Sequence, residues 1–248
     1  MKAMILAAGL GTRLRPLTDD RPKALVEVGN RTMLEIALSR LREFGIREVI
    51  INVHHFAGMV LEYLEANHNF GMHIEVSREN ILLDTGGGLK QAAYFFCDGG
   101  GNSDEPFVLH NVDVISNIDL RRMAHFHAEN KALATLAVQD RATSRYLLFD
   151  QHMQLRGRRS GRDPLTEAVR SGSALSALAF SGIHVISRRF LGMLSEEGVF
   201  SIIDSYLRLA AQGEKIMAFR ADEYYWRDLG KPDQVLQAAE DLKEKVRL

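Results

Sequence analysis

The sequence predicts the α/β class, a mostly parallel mixed sheet flanked by helices. Two observations carry this expectation. Compact apolar runs at 2–8, 48–53 and 107–110 lack the alternation of a half-wet strand, as strands covered on both faces do. Segments of helical period lie between them, and parallel neighbours require such crossover connections.

Residues 2–8 read as the first strand, ending in a glycine-rich turn. Across 32–44, Met33, Leu34, Ala37, Leu38, Leu41 and Phe44 recur at helical spacing. Thr32 is the expected N-cap, Glu35 completes a capping box, and Gly45 suits the stop. Strands then follow at 48–53, 72–76 and 107–110, with helices at 57–66, 88–96 and 120–129. In the second half, 132–138 and 146–149 read as neighbouring strands with 141–144 as their turn. The polar stretch 156–172, with three Gly and five Arg, reads as loop. A long strand is expected at 174–186, a helix at 200–211, a strand pair at 216–221 and 224–229, and a helix at 231–245 with Pro232 in its first turn. The acidic, glycine-rich 98–105 reads as a mobile surface loop with nothing to bury.

Composition excludes several function classes. Lys plus Arg is 31 against 32 Asp plus Glu, so the basic excess of a nucleic-acid binder is missing. Cys97 stands alone, which rules out an intramolecular disulfide and fits a reducing, cytoplasmic setting. The nearly apolar stretch 174–186 falls short of the roughly 20 residues that span a bilayer. The apolar run 3–8 is followed by its basic residues, the reverse of a secretory signal. No membrane or nucleic-acid partner is expected; a monomer or homodimer is.

The most informative segment runs Leu6-Ala7-Ala8-Gly9-Leu10-Gly11-Thr12-Arg13-Leu14-Arg15-Pro16-Leu17-Thr18, with Arg21-Pro22-Lys23-Ala24-Leu25 close behind. Gly9 and Gly11 allow a tight turn whose N–H groups can approach a phosphate. Arg13, Arg15, Arg21 and Lys23 stand beside it, as neutralising a triphosphate requires. A dinucleotide fingerprint would need glycine where Leu14 stands, and a P-loop would need Gly-Lys-Ser or Gly-Lys-Thr.

Two carboxylates complete the constellation. Asp113 follows the strand at 107–110, at the carboxyl edge where open α/β sheets bind ligands, and Asp228 ends the last predicted strand. Magnesium takes oxygen ligands, commonly one or two carboxylates plus substrate phosphates. Asp113 and Asp228 would suit it if the fold brings both strand ends to one cleft. The triple glycine Gly86-Gly87-Gly88 after Thr85 could expose peptide edges to a flat nucleobase, or could simply be a helix start capped by Thr85. None of the nine histidines has helical zinc spacing, and His110 could merely position Asn111.

The glycine–arginine string with its Pro-Lys-Ala-Leu, the Asn-Val-Asp at 111–113 and the Trp-Arg-Asp-Leu-Gly at 226–230 resemble the sugar-1-phosphate nucleotidyltransferase family. The resemblance covers the chain and is nearest to short members acting on N-acetylmuramate 1-phosphate with UTP or on heptose phosphates with GTP. It implies the Rossmann-like nucleotide-diphospho-sugar transferase fold in one domain, with 1–130 the nucleotide-binding half and 131–248 the sugar-binding, metal-completing half. It implies an NTP, UTP first and GTP second, over Leu6, Ala7, Ala8, Gly9, Gly11 and Thr12, with its base against Thr85, Gly86, Gly87 and Gly88. Arg13 would bind the β- and γ-phosphates and Lys23 the α-phosphate. Asn111, Glu167 and Gly182 would meet the sugar of a sugar 1-phosphate, and Asp113 with Asp228 would hold Mg²⁺. A phosphocholine cytidylyltransferase with an aromatic cage from Tyr224, Tyr225 and Trp226 is one alternative, and a non-catalytic nucleotide-sugar sensor is another.

Overall fold

A computed structural model describes residues 1–97, 105–160, 166–168 and 175–244. In chain order the strands are β1 (Ala3–Leu6), β2 (Glu27–Val28), β3 (Arg31–Thr32), β4 (Glu48–Val53), β5 (His73–Arg78), β6 (Phe107–Asn111) and β7 (Val114–Ser116). Then come β8 (Ala134–Gln139), β9 (Arg145–Phe149), β10 (Leu155–Ser160), β11 (Thr166–Ala168), β12 (Ser176–Ile186), β13 (Ile216–Arg220) and β14 (Trp226–Asp228). The helices are α1 (Met33–Glu43), α2 (Ala57–Ala66), α3 (Asp84–Gln91), α4 (Tyr94–Cys97), α5 (Leu120–Glu129), α6 (Ile202–Ala211) and α7 (Pro232–Glu244).

The main sheet has the order β11-β10-β9-β12-β6-β1-β4-β5, with β8 pairing β12 and β13. Strands β6, β1, β4 and β5 are mutually parallel, and β12 joins them antiparallel along β6. The unbroken apolar run of β1 is explained by burial on both faces. Ala3 and Ile5 pack with Leu34, Leu38 and Leu41 of α1, whereas Met4 packs on the opposite side with Leu89, Phe95 and Phe107.

Helix α1 shows which local signals hold. The Thr32 side chain accepts from Glu35 N at 3.1 Å, as expected of the cap. The reciprocal arm of the capping box is absent, because Glu35 turns to Arg31 Nε at 2.9 Å and accepts from the Tyr63 hydroxyl at 3.3 Å. At the other end Gly45 sits at φ +80, with Gly45 N bonding to Arg42 O and Ile46 N to Leu41 O. That is a full Schellman stop, which a Cβ at Gly45 would strain.

Four expectations need correction. The strands near 132–138 and 146–149 are not neighbours, because β12 lies between β8 and β9. The stretch taken as loop at 156–172 contains β10 and β11, paired with Arg158 opposite Glu167. The described arginines of this stretch, Arg156, Arg158 and Arg159, lie on β10, which is paired on both sides by β9 and β11. The segments at 216–221 and 224–229 do not pair together: β13 runs parallel to β8, and β14 joins β7. The helix expected at 88–96 begins earlier, as α3, and breaks at Ala92 before α4. The expected surface loop lies, but for Glu105, outside the described residues. Among the described residues, no helix is long and apolar enough to cross a membrane.

The core also buries histidines. His127 is within 3.0 Å of the Thr135 and Ser187 hydroxyls, a structural role. Burial holds His184 down at a pKa of about 3 and His110 at about 4. Both therefore stay neutral in the fold while the unfolded chain takes up protons below about pH 6.5. Stability is full above that pH and is lost as pH falls toward 4. Between pH 7.5 and pH 5 we expect a loss of about 2 kcal/mol for each of the two sites. Urea denaturation at the two pH values checks this, and equal midpoints would refute it.

Candidate active site

The loop after β1 is pinned by a buried polar chain. Ala7 N donates to Asn52 Oδ1 at 2.8 Å, Asn52 Nδ2 donates to Glu79 Oε1 at 2.6 Å, and Leu83 N donates to Glu79 Oε2 at 2.9 Å. These bonds tie the glycine loop to β4 and to the start of α3. Gly11 adopts φ +66, and a Cβ there would approach Thr18 Cγ2 to 2.9 Å. Its carbonyl accepts from Leu14 N and from the Thr18 hydroxyl, both at 2.8 Å. A short 3-10 turn over Thr12–Leu14 follows, with Leu14 buried as its anchor and Arg13 exposed.

Asp113 and Asp228 are brought together by the β7–β14 ribbon. Asp228 is in register with Val114, and Leu229 N donates to Asp113 O at 2.8 Å. The Lys23 ammonium donates to Asp113 Oδ2, with the two side chains only 12% and 15% exposed. Asp228 Oδ1 accepts from Gly230 N at 2.6 Å. A Cβ at Gly230 would lie 2.6 Å from that oxygen and 3.0 Å from Arg13 Nη2, so Arg13 stands over the same turn. Burial, followed by the charge of Asp113, raises the Asp228 carboxyl above its ordinary range, against the pull of Lys23 and Arg13. A divalent cation between the two carboxylates would relieve that repulsion, and their hard oxygens suit magnesium. Among the described residues no group of three or more His, Cys, Asp or Glu could hold a metal. Substrate phosphates would therefore have to complete the shell.

Two cavities open beside this cluster. The smaller, about 450 Å³, is lined by Leu6, Ala8, Gly9, Lys23 and Asp113 on one side and by Leu82, Asp84 and Thr85 on the other. The larger, about 750 Å³, is lined by Arg145, Tyr146, Arg158, Arg159, Phe180 and His184. Asp84, Thr85 and Asn111 line both. Asn111 Oδ1 is buried with no hydrogen-bond partner. His110 Nδ1 is 2.8 Å from the Asn111 carbonyl, as expected of a positioning group. Gly182, at φ +74, packs where a Cβ would meet Val114 Cγ2 at 2.8 Å and Asn111 Nδ2 at 3.0 Å. Glu167 stands opposite Arg158 on the edge strand.

The triple glycine matches the helix-start alternative of the sequence reading, with a different cap. Gly86, Gly87 and Gly88 lie buried inside α3, and Gly86 N and Gly87 N both donate to Phe200 O. Their peptide donors are thus engaged by the protein. Thr85 caps α6 instead of its own helix, its hydroxyl accepting from Ile202 N at 3.0 Å. Close packing explains the glycines: a Cβ on Gly86 would lie 2.3 Å from the Phe200 ring. Alanine gains roughly 1 kcal/mol of helix propensity. Overpacking outweighs that gain, so Gly86→Ala should destabilise the fold by about 1–3 kcal/mol. A denaturation midpoint at or above wild type would contradict it.

Sequence reasoning missed the lining of the larger cavity. Arg145 comes from β9 and Arg158 and Arg159 from β10, and the arginine excess of 156–172 signals the latter two but not Arg145. Nor do the three consecutive aromatics form a cage. The Tyr224 hydroxyl accepts from Arg122 at 2.6 Å, the Tyr225 hydroxyl donates to Asp241 at 2.9 Å, and the Arg141 guanidinium covers the Trp226 ring.

Known proteins share this arrangement of elements. The profile of the nucleotidyl transferase family matches residues 2–245. N-acetylmuramate alpha-1-phosphate uridylyltransferase of Caulobacter vibrioides is 32% identical, over 98% of this chain and 97% of that protein. Mannose-1-phosphate guanyltransferase of Yarrowia lipolytica is 31% identical over 95% of this chain, which spans only 62% of that longer enzyme. The crystal structure of a UDP-glucose pyrophosphorylase in complex with UDP-glucose shares the fold at a TM-score of 0.77, with 17% identity and 99% of each chain covered. A glycine loop with its cationic flank, two carboxylates joined by a short ribbon, and a family match over nearly every residue lead to one conclusion: this chain belongs to the nucleotidyl transferase family.

Proposed function

We propose that the protein transfers a nucleotidyl group from an NTP, UTP by preference, to a sugar 1-phosphate, releasing pyrophosphate in a Mg²⁺-dependent reaction. The observation that carries this reading is the gathering of Arg13, Lys23, Asp113 and Asp228 beside two cavities that share Thr85 and Asn111. The smaller cavity suits the nucleotide, with Gly9 and Gly11 under its phosphates, and the larger suits the sugar. UTP is favoured because the uridylyltransferase relative matches end to end. GTP is the second choice, on the guanyltransferase relative.

In this scheme a phosphate oxygen of the acceptor attacks the α-phosphorus in line. That bond forms as the bond from the α-phosphorus to the bridging oxygen breaks, and pyrophosphate departs with the electron pair. No general base is needed, since a phosphate monoester with second pKa of about 6 is mostly dianionic at neutral pH. Lys23 offsets charge growing at the α-phosphate and Arg13 holds the departing phosphates. Magnesium held by Asp113 and Asp228 would supply further charge neutralisation at the phosphates. Asn111 orients a sugar hydroxyl through its free carbonyl oxygen.

Pyrophosphate release measured across four NTPs and a panel of sugar 1-phosphates tests the reading. Turnover with UTP and at least one sugar is expected. Silence across the panel with Mg²⁺ present would overturn it in favour of a nucleotide-sugar sensor. Chelating divalent ions should abolish turnover and added Mg²⁺ should restore it; unchanged rates in chelator would remove the metal from the scheme.

A further inference from the structure

Arg141 has no part in the scheme above, yet it is held with unusual care. It follows β8, and its guanidinium carbon lies over the Trp226 indole, 3.7 Å from the ring centroid. Its Nη2 donates to Phe180 O at 2.8 Å. The indole is fixed in turn by Trp226 Nε1 donating to Ser181 O at 2.7 Å. Trp226 stands two residues before Asp228 on β14, so Arg141 sits beside one of the paired carboxylates. No carboxylate lies within ion-pair distance of it among the described residues. Burial draws the guanidinium below its ordinary pKa, and Asp228 is the main influence opposing this.

A second observation converges on the same place. Among the described residues, three of the four buried side-chain polar atoms without a partner are Arg141 Nε, Ser181 Oγ and Asn111 Oδ1. All three border the irregularity of β12 between Phe180 and His184. Arg141 bonds its first carbonyl, Ser181 lies within it, and Asn111 packs on Gly182. Buried polar atoms are nearly always paired; the Arg141 Nε donor lacks an acceptor, which an anion would supply, while the Asn111 Oδ1 acceptor suits the sugar hydroxyl. A preorganised guanidinium with free donors selects an anion.

We propose that Arg141 is the anchor for the phosphate of the acceptor substrate. This rests on the nucleotidyl-transfer reading and adds to it the group that receives the attacking dianion. In-line displacement requires the acceptor phosphate to approach the α-phosphorus from the side opposite pyrophosphate. Arg13 and Lys23 belong to the NTP. Arg145, Arg158 and Arg159 line the wall of the larger cavity, whereas the charge of Arg141 acts on Asp228 itself, where an incoming dianion meets the paired carboxylates. Arg141 lies within range of the Asp228 charge and is bonded to Phe180, which lines the larger cavity. Stacking on Trp226 holds the guanidinium rigid, so little of its freedom is lost when the phosphate binds.

Trp226 is the only tryptophan of the chain, so it reports on this contact directly. Glucose 1-phosphate is titrated into the protein with UTP present and divalent ions chelated, and tryptophan emission is followed. Wild type and Arg42→Gln, a substitution on the exposed face of α1, should each give a saturable change. Arg141→Gln should lose it and Arg141→Lys should retain it at weaker affinity. In steady-state assays with whichever sugar 1-phosphate the wild type turns over, Arg141→Gln should raise the acceptor KM at least about tenfold, with the KM for the NTP nearly unchanged. Glutamine can still donate to Phe180 O but carries no charge. If Arg141 were only a structural clip, glutamine would do as well as lysine, and that result would overturn the proposal. So would an absent emission change in wild type, or equal losses for both substrates. Turnover by wild type with a normal acceptor KM in a folded Arg141→Gln would sink the anchor and leave the nucleotidyl-transfer reading standing.

Discussion

Lys23→Ala is expected to lower kcat by about 10²- to 10³-fold, the typical loss when one preorganised donor to developing charge is removed. Lys23 is largely buried, its ammonium is engaged by Asp113 before any substrate arrives, and it lines the smaller cavity beside Gly9. It therefore meets the incoming nucleotide without reorganising from water, which is what makes such a cation effective. The loss should fall on kcat more than on the KM for the NTP, because under the proposed scheme the glycine loop and Arg13 would still bind the phosphates. Lys23→Arg keeps the charge but not the compact geometry and should recover only part of the rate. Steady-state pyrophosphate release, with circular dichroism to confirm folding, decides the matter. A folded Lys23→Ala variant within about threefold of wild type would remove Lys23 from the chemistry.

Asp228→Asn is expected to separate stability from activity. The carboxylate is buried beside Asp113, and its raised pKa means that the charged form is disfavoured in the fold. A group with a folded pKa above its unfolded value contributes stability at low pH and loses it as pH rises through the folded value. At neutral pH Asp228 is therefore a liability in the metal-free protein. Asparagine keeps an oxygen for Gly230 N and removes the repulsion, so the metal-free variant should melt at or above wild type. Turnover should fall by about 10² or more, because the proposed scheme needs both carboxylates to hold the metal at the phosphates. Addition of Mg²⁺ with UTP should raise the melting temperature of wild type more than UTP with chelator does, whereas in Asp228→Asn the two additions should act alike. An active Asp228→Asn, or a variant less stable than wild type without metal, would contradict this account.

Much of the first half was legible because its signals are local. Thr32 and Gly45 bound α1 through bonds made within a few residues, and β1 announces itself by burying Ala3 and Met4 on opposite faces. The second half was harder because its strands change partners. Strand β12 pairs with β9 at one end and β6 at the other, with β8 along its remaining edge, and no period in the sequence encodes that exchange. The arginines of β10 deny it an apolar strand pattern because they serve other contacts: Arg158 and Arg159 line a cavity and Arg156 pairs with Asp150.

The order of residues alone settled the glycine turn after β1, its cationic flank and the candidate carboxylates, since each depends on what neighbouring residues are. Long-range pairing settled the rest. Asp113 and Asp228 meet because Leu229 N finds the Asp113 carbonyl across the β7–β14 ribbon, a backbone contact that side-chain identity cannot announce. The same holds for Arg141 on Trp226 and for the glycines of α3 under Phe200. Chemistry-bearing residue types are written in the chain, whereas their convergence is a property of strand register and packing.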